Sequence, residues 1–199
     1  MGKSWFVPVA AGAVVLLGAW QFWQSRPVDR PPGVLAPLEP VQQTLSAGFT
    51  RTKNGFTVTG LATFSLRARV ISKRDYGDEG AALAPVDVAF GWGPMSDSRV
   101  LSKLQFNQFG RWYTYQWSDE PPLEPGIIAL NSANMHLIPA NGSVEAKLRA
   151  LRSGNIVTLR GYLVHANRAD GFTWVSSLTR ADTGDGACEL VWVEALEVR

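Results

Sequence analysis

The chain has 199 residues, 46% of them hydrophobic and 18% charged, a balance that permits a packed core and excludes a wholly disordered protein. Its 19 Lys and Arg residues against 17 Asp and Glu give a net charge of +2, and no basic run occurs, so nucleic acid is not predicted as a partner. The single cysteine, Cys188, excludes an intramolecular disulfide and a multi-cysteine metal site, and no cofactor is predicted.

Residues 5–23, WFVPVAAGAVVLLGAWQFW, carry no charge and have aromatic side chains at both ends. A helix over this stretch, at ~1.5 Å per residue, would be ~28 Å long, close to the thickness of the hydrocarbon core of a bilayer. Aromatic rings favour the two membrane interfaces. We therefore predict a transmembrane anchor within residues 1–23, with the lipid bilayer as its partner. A cleaved signal peptide is the alternative, but Leu17-Gly18-Ala19 is a poor cleavage site.

The charges that flank this segment do not decide its orientation. Lys3 lies on one side, and Arg26 and Arg30 lie on the other with Asp29 between them. A short N-terminus, one span, a spacer and a globular domain form a plan that is common among bacterial envelope proteins. By this analogy we predict a single-pass protein of the bacterial inner (cytoplasmic) membrane, with its C-terminal domain on the periplasmic or extracellular side.

Residues 24–43 form a proline-rich linker with five prolines. Such a composition favours extended polyproline II geometry and a semi-rigid spacer. The linker would either hold the domain some ~40–60 Å from the bilayer or lie along the domain surface, and the sequence leaves both arrangements open. A β-rich globular domain is predicted over residues 44–199.

The first half of this domain alternates apolar and polar residues, which is typical of strands. Two glycines and a proline in GWGPMSD indicate a tight corner. The segment SDSRVLSKLQF is predicted as a short helix capped by Ser96 or Ser98, with a strand as the alternative. The predicted strands here are a pair within 55–72 separated by a break near Gly60-Leu61, then 86–90 and 111–117.

The second half contains one clear helix signal over residues 143–154, with Ser143 as its cap and Gly154 as its stop. Strands are predicted over 155–165, 171–180 and 188–198. Many short strands with one or two short helices predict a mostly antiparallel β domain. It would be a small barrel or a sandwich, and an OB-like barrel is one candidate.

Two residues are candidates for catalysis, His136 and Cys188. A cysteine nucleophile needs a base within hydrogen-bond reach and a group that orients the base, here Asn134 or Asn131. Cys188, however, opens an apolar strand in which a small buried thiol is the more common finding. A thiol or His-dependent hydrolase using His136 with Cys188 is therefore the alternative function.

The stretch SANMHLIPAN, which contains His136, also fits a purely structural role. Met135, Leu137 and Ile138 are predicted as core residues of an irregular stretch in which His136 bonds the backbone. The functional alternative is a polar ligand-binding pocket. Its predicted members are Asn134, His136 and Arg180.

Aromatic residues are concentrated in the middle of the domain, with few basic residues between them. This pattern favours core packing first and a partner or saccharide surface second. Trp92, Trp112 and Trp117 are the aromatic candidates for ligand binding. No metal-ligand spacing, phosphate loop or hydrolase motif is present in the sequence. We therefore predict a non-enzymatic binding or accessory module for a partner protein or an envelope ligand.

Overall fold

The computed structural model describes residues 26–179 and 187–199, which form a mostly β, sandwich-like domain with few helices. The predicted transmembrane segment and Arg180 lie outside these residues. No helix in the described ranges is long and apolar enough to cross a membrane. The strands are β1 Val41–Thr44, β2 Thr50–Lys53, β3 Phe56–Asp75, β4 Val86–Gly91, β5 Gln105–Phe109, β6 Trp112–Gln116, β7 Ser132–Pro139, β8 Ile156–Arg168, β9 Thr173–Val175 and β10 Glu189–Val198. The helices are α1 Ser98–Leu101, α2 Pro125–Leu130 and α3 Gly142–Arg149, with 3-10 turns at Glu79–Ala82 and Gly93–Ser96.

Five strands pair in a closed cycle. β3 pairs with β4 and β4 with β7, both antiparallel; β7 pairs with β10 in parallel; β10 then pairs with β8 and β8 with β3, again antiparallel. β1 and β2 add to β3, β9 extends β8, and β5 with β6 forms a separate hairpin. The main hydrophobic core is built by the buried alternate residues of the five strands and by the α3 residues Val144 and Leu148.

Strand β3 is a single strand of 20 residues, so the predicted break near Gly60-Leu61 is wrong. The pairing of β3 with β8 shifts register between Gly60 and Ala62, which is the mark of a β-bulge. A Cβ atom at Gly60 would overlap the ring of Phe49, so a glycine is needed there for close packing. The break in the apolar pattern therefore marks a bulge and not the end of a strand.

The His136 segment is a regular strand, Ser132–Pro139, and not the irregular stretch that we predicted. Met135, Leu137 and Ile138 are fully buried, which confirms them as core residues. A strand places alternate side chains on opposite faces. The side chain of His136 consequently lies on the face opposite Met135 and Leu137.

Helix α3 begins at Gly142, and its cap is Asn141, not the predicted Ser143. Asn141 Oδ1 accepts a hydrogen bond of 3.0 Å from the backbone N–H of Val144. Asparagine is as good a cap as serine, and the sequence contains both residues within one turn. The observed helix therefore differs from the predicted one in its first turn, and it also ends earlier, at Arg149, well before the predicted stop at Gly154.

The segment over residues 96–106 contains both of the predicted elements in succession. The one-turn helix Ser98–Leu101 is capped by Asp97, whose carboxylate accepts from Arg99 N, and not by Ser96 or Ser98. Strand Gln105–Phe109 follows.

The last part of the chain also follows the predicted strand pattern. β8 and β10 cover the predicted ranges closely, whereas β9 is only Thr173–Val175.

The proline-rich segment lies along the surface of the domain from Val28 onward. Val28 N donates to Ser153 O at 2.7 Å. Further along, Leu35 N and Ala36 N both donate to Ser96 Oγ at 3.0 and 3.1 Å. Ala36 is completely buried. Residues 28–36 thus belong to the folded domain and do not extend away from it as a spacer.

Candidate functional site

The tip of the β5–β6 hairpin positions the central residue of the candidate site, Arg111. Phe109 pairs with Trp112, which leaves Gly110 and Arg111 as a two-residue turn. Both have positive φ angles, 54° and 71°, as a type I′ turn requires. A positive φ is unfavourable for arginine, and such strained residues cluster at functional sites. The interactions of the Arg111 side chain and backbone hold it in this conformation.

Arg111 bridges two carboxylates from different parts of the domain. Its Nη1 donates to Asp87 Oδ1 and to Ala84 O, both at 2.8 Å, and its Nη2 donates to Asp78 Oδ1 at 2.6 Å. The guanidinium group lies 3.9 Å from the centre of the Tyr76 ring, a cation–π contact. Asp78 and Tyr76 flank the turn after β3, and Asp87 lies on β4, so Arg111 fixes the hairpin on the sheet.

The pKa values of these groups follow from the same contacts. The hydrogen bond from Arg111 holds the pKa of Asp78 below its usual value, although partial burial opposes this shift. Burial by itself would lower the pKa of Arg111, but the hydrogen bonds and charges of Asp78 and Asp87 outweigh it and raise that pKa. Burial raises the pKa of Tyr76. The arginine is therefore a permanent charge that is neutralised on two sides.

Asp87 also faces His136, its direct partner in the antiparallel pairing of β4 with β7. Asp87 Oδ2 and His136 Nδ1 lie 2.9 Å apart, and the two side chains are 0% and 5% exposed. Neither atom has another polar partner among the described residues. The His136 ring lies 4.7 Å from the ring of Trp174, at an angle of 51°. A carboxylate on Nδ1 orients an imidazole and leaves Nε2 for a ligand.

Asn134 lies next to His136 on the same face of β7 and is also buried. Its Oδ1 accepts from Gln108 Nε2 at 2.8 Å, and its Nδ2 donates to Arg111 O at 3.0 Å. The same Nδ2 lies 3.9 Å from Cys188 Sγ. The pairing of β7 with β10 thus places the cysteine on the same face as Asn134 and His136.

These residues enclose a pocket of about 610 Å³ between the turn after β3, the β5–β6 hairpin and the segment around β9. Its walls combine aromatic and charged groups. The lining residues are Asp78, Gly80, Arg111, Trp112, His136, Phe172, Thr173, Trp174, Val175 and Cys188. Trp112 and Val175, at 42% and 51% exposed, form part of an apolar rim.

The structure brings some of the predicted site residues together and separates others. His136, Cys188 and Trp112 line the pocket, and Asn134 supports it from behind. Trp92 is 2% exposed and belongs to the main core. Trp117 stacks on Tyr115 in a separate cluster, with ring centres 6.4 Å apart. Arg180 lies outside the described residues.

Asp87, Arg111 and Asp78 were not predicted as site residues from the sequence. Asp87 interrupts the apolar run PVDVAF, and a charged residue inside a buried strand is a signal that could have been read. Arg111 follows a glycine between two aromatic segments, which is a hairpin signal. The contact between the two residues depends on how the hairpin folds onto the sheet, and no local pattern encodes that.

Comparisons of the chain with models of protein families, with curated proteins and with solved structures give no match.

Proposed function

We propose that this protein is a binding module in which an OB-like barrel holds an uncharged, sugar-like envelope ligand in the pocket around His136. The observation that carries the proposal is the position of the pocket relative to the five-strand cycle. In an OB barrel, ligands bind on the face of the second and third strands, between the loop that joins strands one and two and the loop that joins strands four and five.

Strand order and pairing support the OB-like assignment. The cycle β3–β4–β7–β10–β8 has one parallel pair, between its third and fifth strands in sequence, and α3 lies between its third and fourth. The pocket lining then comes from the corresponding elements. Asp78 and Gly80 lie in the first loop, His136 lies on the third strand, and Phe172 and Trp174 lie between the fourth and fifth.

The charges of the pocket favour an uncharged ligand. Arg111 already contacts both Asp78 and Asp87, so an anion would have to compete with two carboxylates for it. This arrangement also disfavours nucleic acid, which needs a basic groove. Aromatic side chains at the walls and directed polar groups at the floor are the usual composition of a small-molecule site. Sugars offer both an apolar ring face and hydroxyl groups.

The membrane context of the proposal comes from the sequence. The predicted anchor ends at Trp23, and within the described residues the linker is hydrogen-bonded to the domain at Val28. A single-pass inner-membrane protein with this linkage would hold its domain close to the bilayer, on the periplasmic or extracellular side. The exposed rim at Trp112 and Val175 would accommodate a longer ligand or a partner protein of the envelope.

Ligand binding can be tested by titrating the full-length protein with chitotetraose, an uncharged oligosaccharide, in a detergent that has no sugar headgroup. Tryptophan fluorescence is the readout. We expect saturable binding that weakens at least about tenfold in Trp112→Ala, since stacking contacts carry much of such an affinity. Phe109→Ala is the matched control, because Phe109 is Trp112's exposed partner in the hairpin and does not line the pocket. Equal affinities in the two variants would refute this role for the pocket.

A second candidate function is supported by one observation: His136 and Cys188 line the same pocket, and Asp87 contacts His136 Nδ1. A carboxylate that orients a histidine beside a thiol is the arrangement of a cysteine nucleophile. In acyl transfer, the Cys188 thiolate would add to a carbonyl carbon and His136 would give a proton to the departing alcohol or amine. Water would then hydrolyse the thioester.

Alkylation by iodoacetamide distinguishes the two functions, because Cys188 is the one cysteine of the chain. An activated thiolate would react at pH 6 faster than a model thiol, and His136→Ala would abolish the difference. If the protein is a binding module without thiol chemistry, Cys188 should be alkylated at the rate of an ordinary cysteine in both the wild type and His136→Ala.

A further inference from the structure

The His136 pocket is lined by two side chains of the kinds that bind soft metal ions, an imidazole and a thiol. His136 lies on β7, Cys188 lies directly before β10, and both line the pocket. Cys188 is partly exposed, so a small solute in the pocket can reach it. The chain has one other histidine, His165, and no other cysteine. This pair is therefore unique in the sequence.

The contact between His136 and Asp87 leaves one imidazole nitrogen for a metal ion. Asp87 Oδ2 lies 2.9 Å from His136 Nδ1. Nδ1 is sealed from solvent, whereas Nε2 makes no hydrogen bond to any described residue and borders the pocket. Histidines that bind metals almost always donate their other ring N–H to a carboxylate, a carbonyl or water, which fixes the tautomer and raises the basicity of the ligating nitrogen. His136 is thus already arranged as a ligand.

The order of the strands directs this nitrogen toward Cys188. β7 lies between β4, which carries Asp87, and β10, which Cys188 precedes. The two nitrogens of an imidazole point away from each other, so Nε2 faces away from β4 because Nδ1 faces Asp87. Cys188 Sγ lies 3.9 Å from Nδ2 of Asn134, which is two residues before His136 on the same face of β7. The thiol and Nε2 therefore meet on one side of the pocket.

The separation of the two groups fits a single bridging ion. An ion bonded to both would hold sulfur and nitrogen about 4 Å apart, the sum of two metal–ligand bonds. Residues two apart on one strand are ~7 Å apart along it. Because the thiol lies beside Asn134, the imidazole of His136 has only part of that separation to cover. Both ligands can then contact one ion.

The number of ligands determines which metal ion fits. Within the described residues, no three or more His, Cys, Asp or Glu side chains form a group that could hold a metal ion. Zn²⁺ takes four ligands, and the protein usually supplies at least three of them. Cu(I) is stable with two ligands in a nearly linear arrangement, and it is one of the ions that thiolates select. The pair therefore favours Cu(I) over Zn²⁺.

We propose that His136 Nε2 and Cys188 Sγ bind one Cu(I) ion in the pocket. On binding, the Cys188 thiol gives its proton to water and its sulfur bonds to the ion, while His136 keeps its Nδ1–H on Asp87. A thiolate, Cu(I) and a neutral imidazole form a complex without net charge. Such a complex suits this pocket, because Arg111 is already neutralised. The proposal uses these two ligands alone and does not depend on a sugar ligand.

The site can be tested by adding Cu(I), without oxygen, to the full-length protein in the presence of the competing chelator bicinchoninate. We expect one tightly bound ion per chain. Nitrogen-15 NMR of the histidine side chains should show the His136 signals moving in proportion to bound Cu(I). The His165 signals are the internal control and should stay in place, because the ring of His165 contacts Thr173 and does not line the pocket. X-ray absorption should detect one sulfur and one nitrogen on the ion.

The wild-type protein alone can overturn the proposal, whatever the folding of any variant. Cu(I) that is not retained against the chelator would do so. Unmoved His136 signals at full occupancy would do so as well, because they would show an adventitious ion on the thiol only.

Variants then test each ligand separately. Cys188→Ser should abolish binding. His136→Ala should weaken it at least about 100-fold, since the loss of an outer partner alone costs about 10–100-fold. His165→Ala is the matched control and should bind like the wild type. Equal affinities of the wild type and a folded His136→Ala would contradict the role of the imidazole.

Discussion

Asp87 and His136 are direct neighbours across the antiparallel pair of β4 and β7, with Asp87 Oδ2 and His136 Nδ1 2.9 Å apart in the interior. The same carboxylate binds Arg111 through its other oxygen. One buried acid thus holds a histidine and an arginine that both line the pocket. The stability of the domain and the shape of the site depend on this one side chain.

Asp87→Ala should therefore lower the free energy of unfolding by about 3–5 kcal/mol, since it removes the buried carboxylate that contacts both Arg111 and His136 and leaves Arg111 with Asp78 alone. Urea denaturation of the two proteins measures this loss. Asp75→Ala is the control. Asp75 is 47% exposed and pairs with Lys73 and Arg149, and its removal should cost less than about 1 kcal/mol. Equal losses in the two variants would contradict the structural role of Asp87.

Asp78 should make the stability of the domain depend on acid pH. Its pKa is lower in the folded state, mainly because of the hydrogen bond from Arg111. Its stabilising contribution is therefore present above the unfolded pKa, about 3.9, and is lost as the pH falls through the folded value. The gap in unfolding free energy between wild type and Asp78→Asn should shrink between about pH 5 and pH 2.

Urea unfolding at a series of pH values checks this expectation. The control repeats the Asp78→Asn substitution in a protein that already carries Arg111→Lys. The gap in unfolding free energy that Asp78→Asn causes there should be narrower at neutral pH, because lysine cannot make the paired bonds of arginine. A gap that is independent of pH in the wild-type background would show that Arg111 does not act on Asp78 in this way.

Ser96→Ala should loosen the docked segment. Ser96 Oγ accepts from both Leu35 N and Ala36 N and donates to Gly93 O at 2.7 Å. The loss of this hydroxyl leaves two backbone N–H groups without an acceptor. Each of them that stays buried should lower the free energy of unfolding by about 1–3 kcal/mol. Hydrogen exchange of Leu35 and Ala36 should accelerate. Ser102→Ala, which removes an exposed hydroxyl, should leave that exchange unchanged.

Gly161→Ala should disrupt the strand cycle. A Cβ atom at Gly161, in the middle of β8, would overlap the backbone oxygen of Trp192 on β10. Overpacking against the backbone should lower the free energy of unfolding by about 1–3 kcal/mol. Thermal unfolding would detect this loss. Gly142→Ala has open space around its Cβ position and should be close to neutral. A neutral Gly161→Ala would contradict the close approach of the two strands.

Local patterns in the sequence predicted much of the fold. The apolar alternation placed the strands near Val86–Gly91 and Trp112–Gln116, and the core residues Met135 and Leu137 were correct. The bulge at Gly60 was wrongly read as a break, because a register shift and a strand end both interrupt the alternation. The choice of cap for α3 failed for a similar reason, since two good caps lie within one turn.

The candidate site was predicted only in part. His136, Cys188 and Asn134 were named from their side-chain chemistry and do share one face of the sheet. Asp87 and Arg111 come from distant segments, and only strand register and the fold of the hairpin bring them to His136. Trp92 and Trp112 look alike in the sequence, yet one is in the core and the other is at the pocket rim. Tertiary packing makes that difference.

The most direct test of ligand binding in the pocket is the set of tryptophan indole N–H signals in an NMR titration of the full-length protein with chitotetraose. Trp112 and Trp174 line the pocket, whereas Trp92 lies in the core and Trp117 in a separate cluster. If the ligand binds at the proposed site, the Trp112 and Trp174 signals should shift saturably, and the Trp92 and Trp117 signals should not shift. Shifts of Trp117 alone, or no saturable shift at all, would contradict it.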